Sequence, residues 1–461
     1  MTPGLVLEVE STFGRADTVS LDRLARMPRA PSSLFGRFAR LTFLNVLANI
    51  TVPMASLVDT ALLGHLADLR FLAGVALAAV LFEYVYWSFG FLRMGTTGTT
   101  AQAWGRKDTS AVFLILYRSL VVALALAVGI LVLQVPLREL GFALLSGAPE
   151  VEAAGRAYFN ARIWAAPATL SNFVLLGWFL GREESGAALV LTVVANLTNI
   201  VCNYIFIVHM GLAAFGAGLG TAISQYAVLA TGLLLWHQRP GRIPWRWSEI
   251  SDSTALKSMF RLNRDILLRT VALVTAFAVF TNCSALMGTV VLAANTVLQR
   301  LVMLVAYLVD GAAFAAESLG GIFGGASDSA SFKRLYRIAM TSGLLLTLPL
   351  LALFLGFPES VIGILTSHPD AIETAVRYLP WLVPVLGIGA LAYIFDGLFL
   401  GLTAGRSLRN AMLVSLGAFL PLAGIAVMRQ DNHLLWFSLA VFMLARALTL
   451  GWASRGVFPS N

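Results

Sequence analysis

The sequence predicts an all-α integral membrane protein of twelve transmembrane helices, arranged as two six-helix lobes related by a parallel repeat. Three observations predict it. First, of the 461 residues 58% are hydrophobic and only 12% are charged, and the mean hydropathy is +0.81. A soluble domain carries about 25% charged residues. Second, the apolar residues fall in runs long enough for helical spans of roughly 20 residues, without the short alternating segments of a transmembrane barrel. Third, the two halves of the chain share short motifs at a constant spacing. The composition excludes a soluble enzyme, a nucleic-acid-binding module and a disordered chain. The net charge of +8 is spread over loops, so it reports topology rather than a nucleic-acid partner.

Taken in order, the spans lie near 38–64, 71–95, 112–135, 153–181, 186–208, 211–237, 258–286, 290–323, 334–356, 372–402, 408–428 and 434–457. Lys and Arg gather in alternate connections. One set holds Arg15, Arg23, Arg26, Arg29 and Arg37, then Arg106 and Lys107, Arg182, Arg239, Arg242, Arg246 and Lys257, Lys333 and Arg334, Arg406 and Arg455; the other holds little beyond Arg70, Arg138 and Arg429. The positive-inside rule then places both termini in the cytoplasm, which requires an even number of spans. Residues 1–35 lack the apolar core of a signal peptide and are expected to form a cytoplasmic tail. The expected organisation is a first lobe at 36–237, a basic cytoplasmic linker at 238–256 and a second lobe at 257–461, in a multi-pass protein of the plasma (inner) membrane. Cys202 and Cys283 both sit inside apolar runs, and the five histidines lack ligand spacing, so no disulfide framework, metal site or cofactor is expected.

The halves align at an offset of 220. Pro149 maps to Pro369, Glu150 to Asp370, Tyr158 to Tyr378, Gly105 to Gly325 and Asp108 to Asp328, and GWFLG at 177–181 becomes GLFLG at 397–401. Six spans separate the copies, so both have the same orientation. A parallel repeat about an axis along the membrane normal is a transporter architecture, with a central cavity between bundles that rock.

Ionisable groups inside a span are costly and mark candidate sites. Asp59 lies in the outer part of the first span. Asn199 and Asn203, four apart on one face of the fifth, and Thr221 on the sixth fall at similar depth. They read as a carboxylate that takes and releases a proton, with hydrogen-bonding neighbours; the other reading is a structural acid and polar helix glue. Pro53, six residues before Asp59, frees the carbonyl of Asn49 and predicts a kink. In the second half, Asp265 and Arg269 lie one helical turn apart, Asp310 and Glu317 share a face of the eighth span, and Asp396 lies in the tenth. Such groups should pair, Asp265 with Arg269 along their helix. Together they form either a second proton site or inner gate, or a permanent ion-paired network.

Several strings also resemble a known family. NITVPMASLVDTALLGHL (49–66), FLRMGTTGTTAQAWG (91–105), LNRDILLR (262–269), AYLVDGAAFAAE (306–317) and FDGLFLG (395–401) resemble the MATE (multidrug and toxic-compound extrusion) transporters of the DinF-like branch, in order and over nearly the whole chain from about residue 36. The resemblance implies antiport of drugs against a coupling cation. It implies that Asp59 is the first-lobe cation-site acid with Asn199 and Thr221 beside it, and that Asp396 matches the family's acid in the tenth helix. Two departures stand out. Leu44 occupies a position where the family often has proline, and Asn203 one where it often has Asp. A single carboxylate suffices for a proton, whereas sodium prefers several oxygens, so H+ is the expected coupling ion over Na+. The expected protein is a monomer in the bilayer exporting amphipathic, cationic organic compounds. A lipid-linked oligosaccharide flippase of similar architecture is the alternative; it favours a strongly basic cavity to hold pyrophosphate. An enzyme would need a nucleophile–base or metal constellation that the sequence lacks, and a channel fits paired lobes poorly.

Overall fold

The structure is a computed structural model that describes residues 33–66, 68–145 and 147–459, and at 52–57 the backbone alone. The expected tail at 1–35 therefore lies almost wholly outside the described residues. Within them every regular element is helical. The 31-residue α1 (Leu34–Gly64) is the first helix among the described residues. Eleven further helices are long and apolar enough to cross a membrane: α2 (Arg70–Gly105), α3 (Thr109–Val132), α4 (Pro149–Gly181), α5 (Ser185–His209), α6 (Ala213–His237), α7 (Ser253–Leu286), α8 (Thr289–Gly325), α9 (Ser329–Gly356), α10 (Pro369–Gly401), α11 (Gly405–Arg429) and α12 (Asn432–Val457). Short helices at Gln134–Leu144 and Pro358–Leu365 occupy the matching connections α3–α4 and α9–α10.

The second span runs ten residues past its expected end at 95. After a turn at Phe89–Gly90 the helix resumes at Phe91 and continues to Gly105. Hydropathy undervalues this stretch because it is rich in Gly and Thr. Gly95, Gly98 and Gly105 approach the other lobe, while Thr96, Thr97 and Thr100 pack against Gly177 and Gly181 of α4. Thr97 and Thr99 return their hydroxyls to the carbonyls of Arg93 and Gly95 at 2.9 and 2.7 Å.

The repeat is written into the backbone as well as the sequence. Lys107 and Ser327 both have positive φ (59° and 55°), as do Glu183 and Thr403 (65° and 55°), each pair 220 apart. Asp108 and Asp328 cap α3 and α9 in the same way, accepting from the amides of Ala111 at 2.9 Å and Ser331 at 3.0 Å. α4 and α10 each tighten to a 3₁₀ turn, at Ile163–Ala165 and Leu379–Trp381. Prolines explain both: Pro167 has no N–H to return to Ile163, and Pro380 and Pro384 do the same in the second copy.

There are two apolar cores, each drawn mainly from one half and joined by residues of the other, such as Phe399 in the first and Phe38 in the second. Phe82, Phe113, Phe159 and Trp178 centre the first, and Phe280, Phe354, Phe419 and Trp436 the second. The two fully buried indoles keep their N–H satisfied, Trp178 by Val112 O and Trp436 by Asn295 Oδ1, both at 2.9 Å. The lobes meet from mid-membrane to the face that carries the connections 105–109, 181–185, 325–329 and 401–405, called the basic face below. There Gln102 donates to Gly401 O at 3.3 Å, Ser318 to Leu180 O at 2.6 Å and Asn49 to Tyr307 O at 3.1 Å. Glycine permits this closeness: a Cβ at Gly105 or Gly325 would collide with the backbone of Ile322 or Gln102 across the seam.

Asp328 supplies a test of the repeated cap. Hydrogen bonds from Ser331, chiefly from its backbone, hold the Asp328 carboxyl below its ordinary value. Because the folded value is the lower one, the stabilisation is full above the unfolded value of about 4 and is lost as pH falls through the folded value. Asp328→Ala should lower stability by about 1 kcal/mol at neutral pH. In thermal melts the gap between wild type and variant should close on acidification below about pH 4.

Candidate functional site

The first candidate site forms where α1, α5 and α6 meet. Asp59 on α1 is half-buried and accepts from Asn203 Nδ2 at 2.7 Å. Asn199, one turn earlier on α5, has two amide orientations. With its nitrogen toward the carboxylate, it lies 3.0 and 3.1 Å from the two Asp59 oxygens, and its oxygen faces the Thr221 hydroxyl at 3.2 Å. In the reverse orientation its nitrogen donates to Thr221 Oγ1 and its oxygen accepts from Asn203. That arrangement sets an acceptor against the carboxylate. An ionised Asp59 offers only acceptors and selects the first orientation; a protonated Asp59 is a donor and suits the second. Thr221 follows either, since its hydroxyl also reaches Ala217 O at 2.9 Å.

Local backbone features position these groups. α5 passes into a π-helical turn at Tyr204–His209 directly after Asn203, a distortion that recurs at functional sites. Gly220 on α6 lets the two helices close, because a Cβ there would strike Asn203. Pro53 lies in α1, which is helical from Leu34 to Gly64; its side chain is outside the described residues, so the expected kink is undescribed. Sequence reasoning overlooked Arg162 on α4, whose charge acts on Asp59. It donates to Tyr158 Oη at 2.7 Å and lies 4.5 Å over the Phe82 ring. The rule that singles out charged residues inside spans applies to it equally.

The second site lies in the other lobe. Asp396 on α10 is only 4% exposed and is ion-paired with both Arg269 of α7 and Arg446 of α12. Arg446 is fully buried, its guanidinium 5.0 Å over the Tyr393 ring. Glu317 of α8, also fully buried, pairs at 3.3 Å with Arg93 of α2, which stacks 4.2 Å over Phe314. This pair crosses between lobes. Asp310 lies within electrostatic range of Arg93, Arg269, Arg446 and Asp396 without a direct ion pair among the described residues, and it is partly exposed.

The expected pairing of Asp265 with Arg269 is wrong. Asp265 is held by Arg409 of α11 at 2.8 Å and by its neighbour Arg264 at 3.1 Å, apart from the cluster. One turn along α7 changes the packing partner from α11 to α10 and α12: Asp265 faces α11, where Arg409 supplies its counter-charge, and Arg269 faces the buried Asp396 of α10. Arg93, Arg409 and Arg446 are further residues the sequence reading missed. Arg93 stands in the run FLRMGTTGTT and Arg446 in the last apolar span, so both were open to the buried-charge rule.

The comparisons with known proteins bear on this geometry. The sequence profile described as MatE matches residues 45–205 and 266–428, one block in each lobe. The chain belongs to the MATE family. It is 34% identical over 434 residues to DNA damage-inducible protein F of Escherichia coli (strain K12), covering 91% of this chain and 94% of that one. It is also 25% identical to human multidrug and toxin extrusion protein 1, over 83% of this chain and 65% of the human protein. A solved multidrug-resistance MATE transporter of the MOP superfamily, in an outward-facing conformation, superposes with a TM-score of 0.83 at 20% identity, covering 92% of this chain and 96% of that one; that likeness shows the fold. This MATE chain is thus a membrane transporter of the multidrug and toxin efflux class, not an enzyme.

The buried triad predicts an order of effects. Asp396→Ala strands two arginines and should cost about 3–5 kcal/mol. Arg269→Ala should cost less, because Arg446 still neutralises the acid. Melting temperatures of the variants in detergent check the order, and a loss for Arg269→Ala equal to that for Asp396→Ala would show that the triad does not act as one unit.

Proposed function

We propose that this MATE transporter exports amphipathic organic cations in exchange for protons by alternating access, with Asp59 as the proton-carrying group. The observation that carries the reading is the donor set around Asp59. Two side-chain amides present N–H groups to its oxygens, and no second carboxylate replaces Asn203. Amide donors turned toward a carboxylate compete with sodium for the same oxygens, whereas a proton needs only one oxygen and a reorientation of Asn199. Under the positive-inside rule the basic face is cytoplasmic. The lobes are closed there, so the Asp59 site belongs to the half that opens outward. Proton uptake from outside turns Asp59 from acceptor to donor, rearranges the amides and weakens attraction for a bound cation, which then leaves.

The second lobe adds a carboxylate for the substrate. Asp310 is partly exposed and unpaired among the described residues, while Glu317 and Asp396 are committed to arginines. In this cluster three arginines, Arg93, Arg269 and Arg446, stand against three acids, Asp310, Glu317 and Asp396, so it carries no excess positive charge, which disfavours the pyrophosphate-binding flippase reading.

Dye-cation uptake into inverted vesicles tests the proposal. A pH gradient should drive uptake and a sodium gradient at constant pH should not. Asp59→Asn should abolish uptake while melting like wild type. Asn203→Asp should introduce a sodium response by adding a second anionic oxygen donor. Full transport by well-folded Asp59→Asn would remove the acid from the mechanism.

A further inference from the structure

The basic face holds a concavity that neither site above uses. α2, α3, α7 and the start of α11 enclose about 600 Å3 between the lobes, lined by Arg106, Arg118, Arg261 and Arg406. Arg106 and Arg118 come from one lobe, Arg261 and Arg406 from the other. Among the described residues Arg106, Arg261 and Arg406 have no ion pair or side-chain hydrogen bond. Arg118 gives one nitrogen to Glu249 O at 2.6 Å, and its Nε is buried without a partner. The one acid in the wall, Asp265, is already taken by Arg409 and Arg264. α11 begins in the same wall, and its N-cap, Ala404, offers no side-chain oxygen to its first amides, so the positive end of a 25-residue helix adds to the field.

Four guanidinium groups drawn from both lobes line this wall, and its one acid is held by other arginines, so the wall carries net positive charge that a bound anion would offset. Guanidinium forks match phosphate oxygens two at a time, an uncapped helix start favours the same ligand, and the volume lies in the range of small-molecule sites. We propose that this cavity binds a phosphate-bearing anion, either the headgroup of an anionic phospholipid or a free phosphate, which bridges the lobes and holds the basic face closed.

The test uses the full chain purified in a neutral detergent. Three probes are titrated by calorimetry: dihexanoyl phosphatidylglycerol, dihexanoyl phosphatidylcholine and inorganic phosphate. Phosphatidylglycerol should bind and phosphatidylcholine should not. If inorganic phosphate binds as well, the site serves a soluble phosphate; if it is silent, the site reads the lipid headgroup. Arg106→Gln with Arg406→Gln should weaken binding by about tenfold for each guanidinium removed, and the matching pair of lysine substitutions should restore part of it. The closing role is read separately, in a Cys202→Ala, Cys283→Ala background carrying Ser318→Cys at the lobe seam. Bound anion should slow alkylation of that cysteine. Binding of neither anion, equal binding of both lipids, or undiminished binding by a folded glutamine pair would overturn the site. An alkylation rate indifferent to bound anion would overturn the bridge.

Discussion

Charge neutralisation inside the membrane organises the second lobe. Asp396 sits on one helix, and its two arginines arrive from α7 and α12. None of the three can be left alone in a low-dielectric interior, so the triad sets the rotation of three helices about their axes. Arg93 and Glu317 extend the same constraint across the seam to α2. A movement that opens the basic face must therefore part this pair or carry it along, which makes the charge cluster a mechanical element as well as a solvation requirement.

Asp59 is held in the opposite way. Its neighbours are amides and a hydroxyl, with Arg162 acting on it from α4. Neutral partners tolerate both protonation states because an amide or hydroxyl can exchange donor for acceptor, whereas an arginine cannot. In the proposed exchange the acid facing amides is the one that carries the proton, while the acid clamped by two arginines belongs to an ion-paired frame.

The repeat makes the division plain. At the offset of 220 the pivots agree: the capping aspartates Asp108 and Asp328 and the positive-φ pairs at 107/327 and 183/403. The chemistry does not agree. Val279 stands opposite Asp59, Ala423 opposite Asn203, and Leu176 opposite Asp396. Duplication supplied one backbone frame twice, and the buried polar groups differ between the copies.

The sequence by itself determined the helical membrane class, the twelve spans, the offset of 220 and the depth of Asp59, Asn199, Asn203 and Thr221. Those follow from properties that act along the chain: the length of apolar runs, the period of the helix and the count of residues from a span's end. It also exposed the strings that resemble the MATE family. Only the tertiary structure decided which charges touch. Depth was readable for Asp265 and Arg269, but rotation about the helix was not, and one turn of α7 separates a carboxylate facing Arg409 from an arginine buried against Asp396. The glycine- and threonine-rich end of α2 escaped hydropathy because it is buried by protein, not lipid, and its glycines serve close approach across the seam. Arg93, Arg162 and Arg446 were visible as charges in spans, but their partners lie on helices distant in sequence, and pairing across such distances is fixed by packing alone.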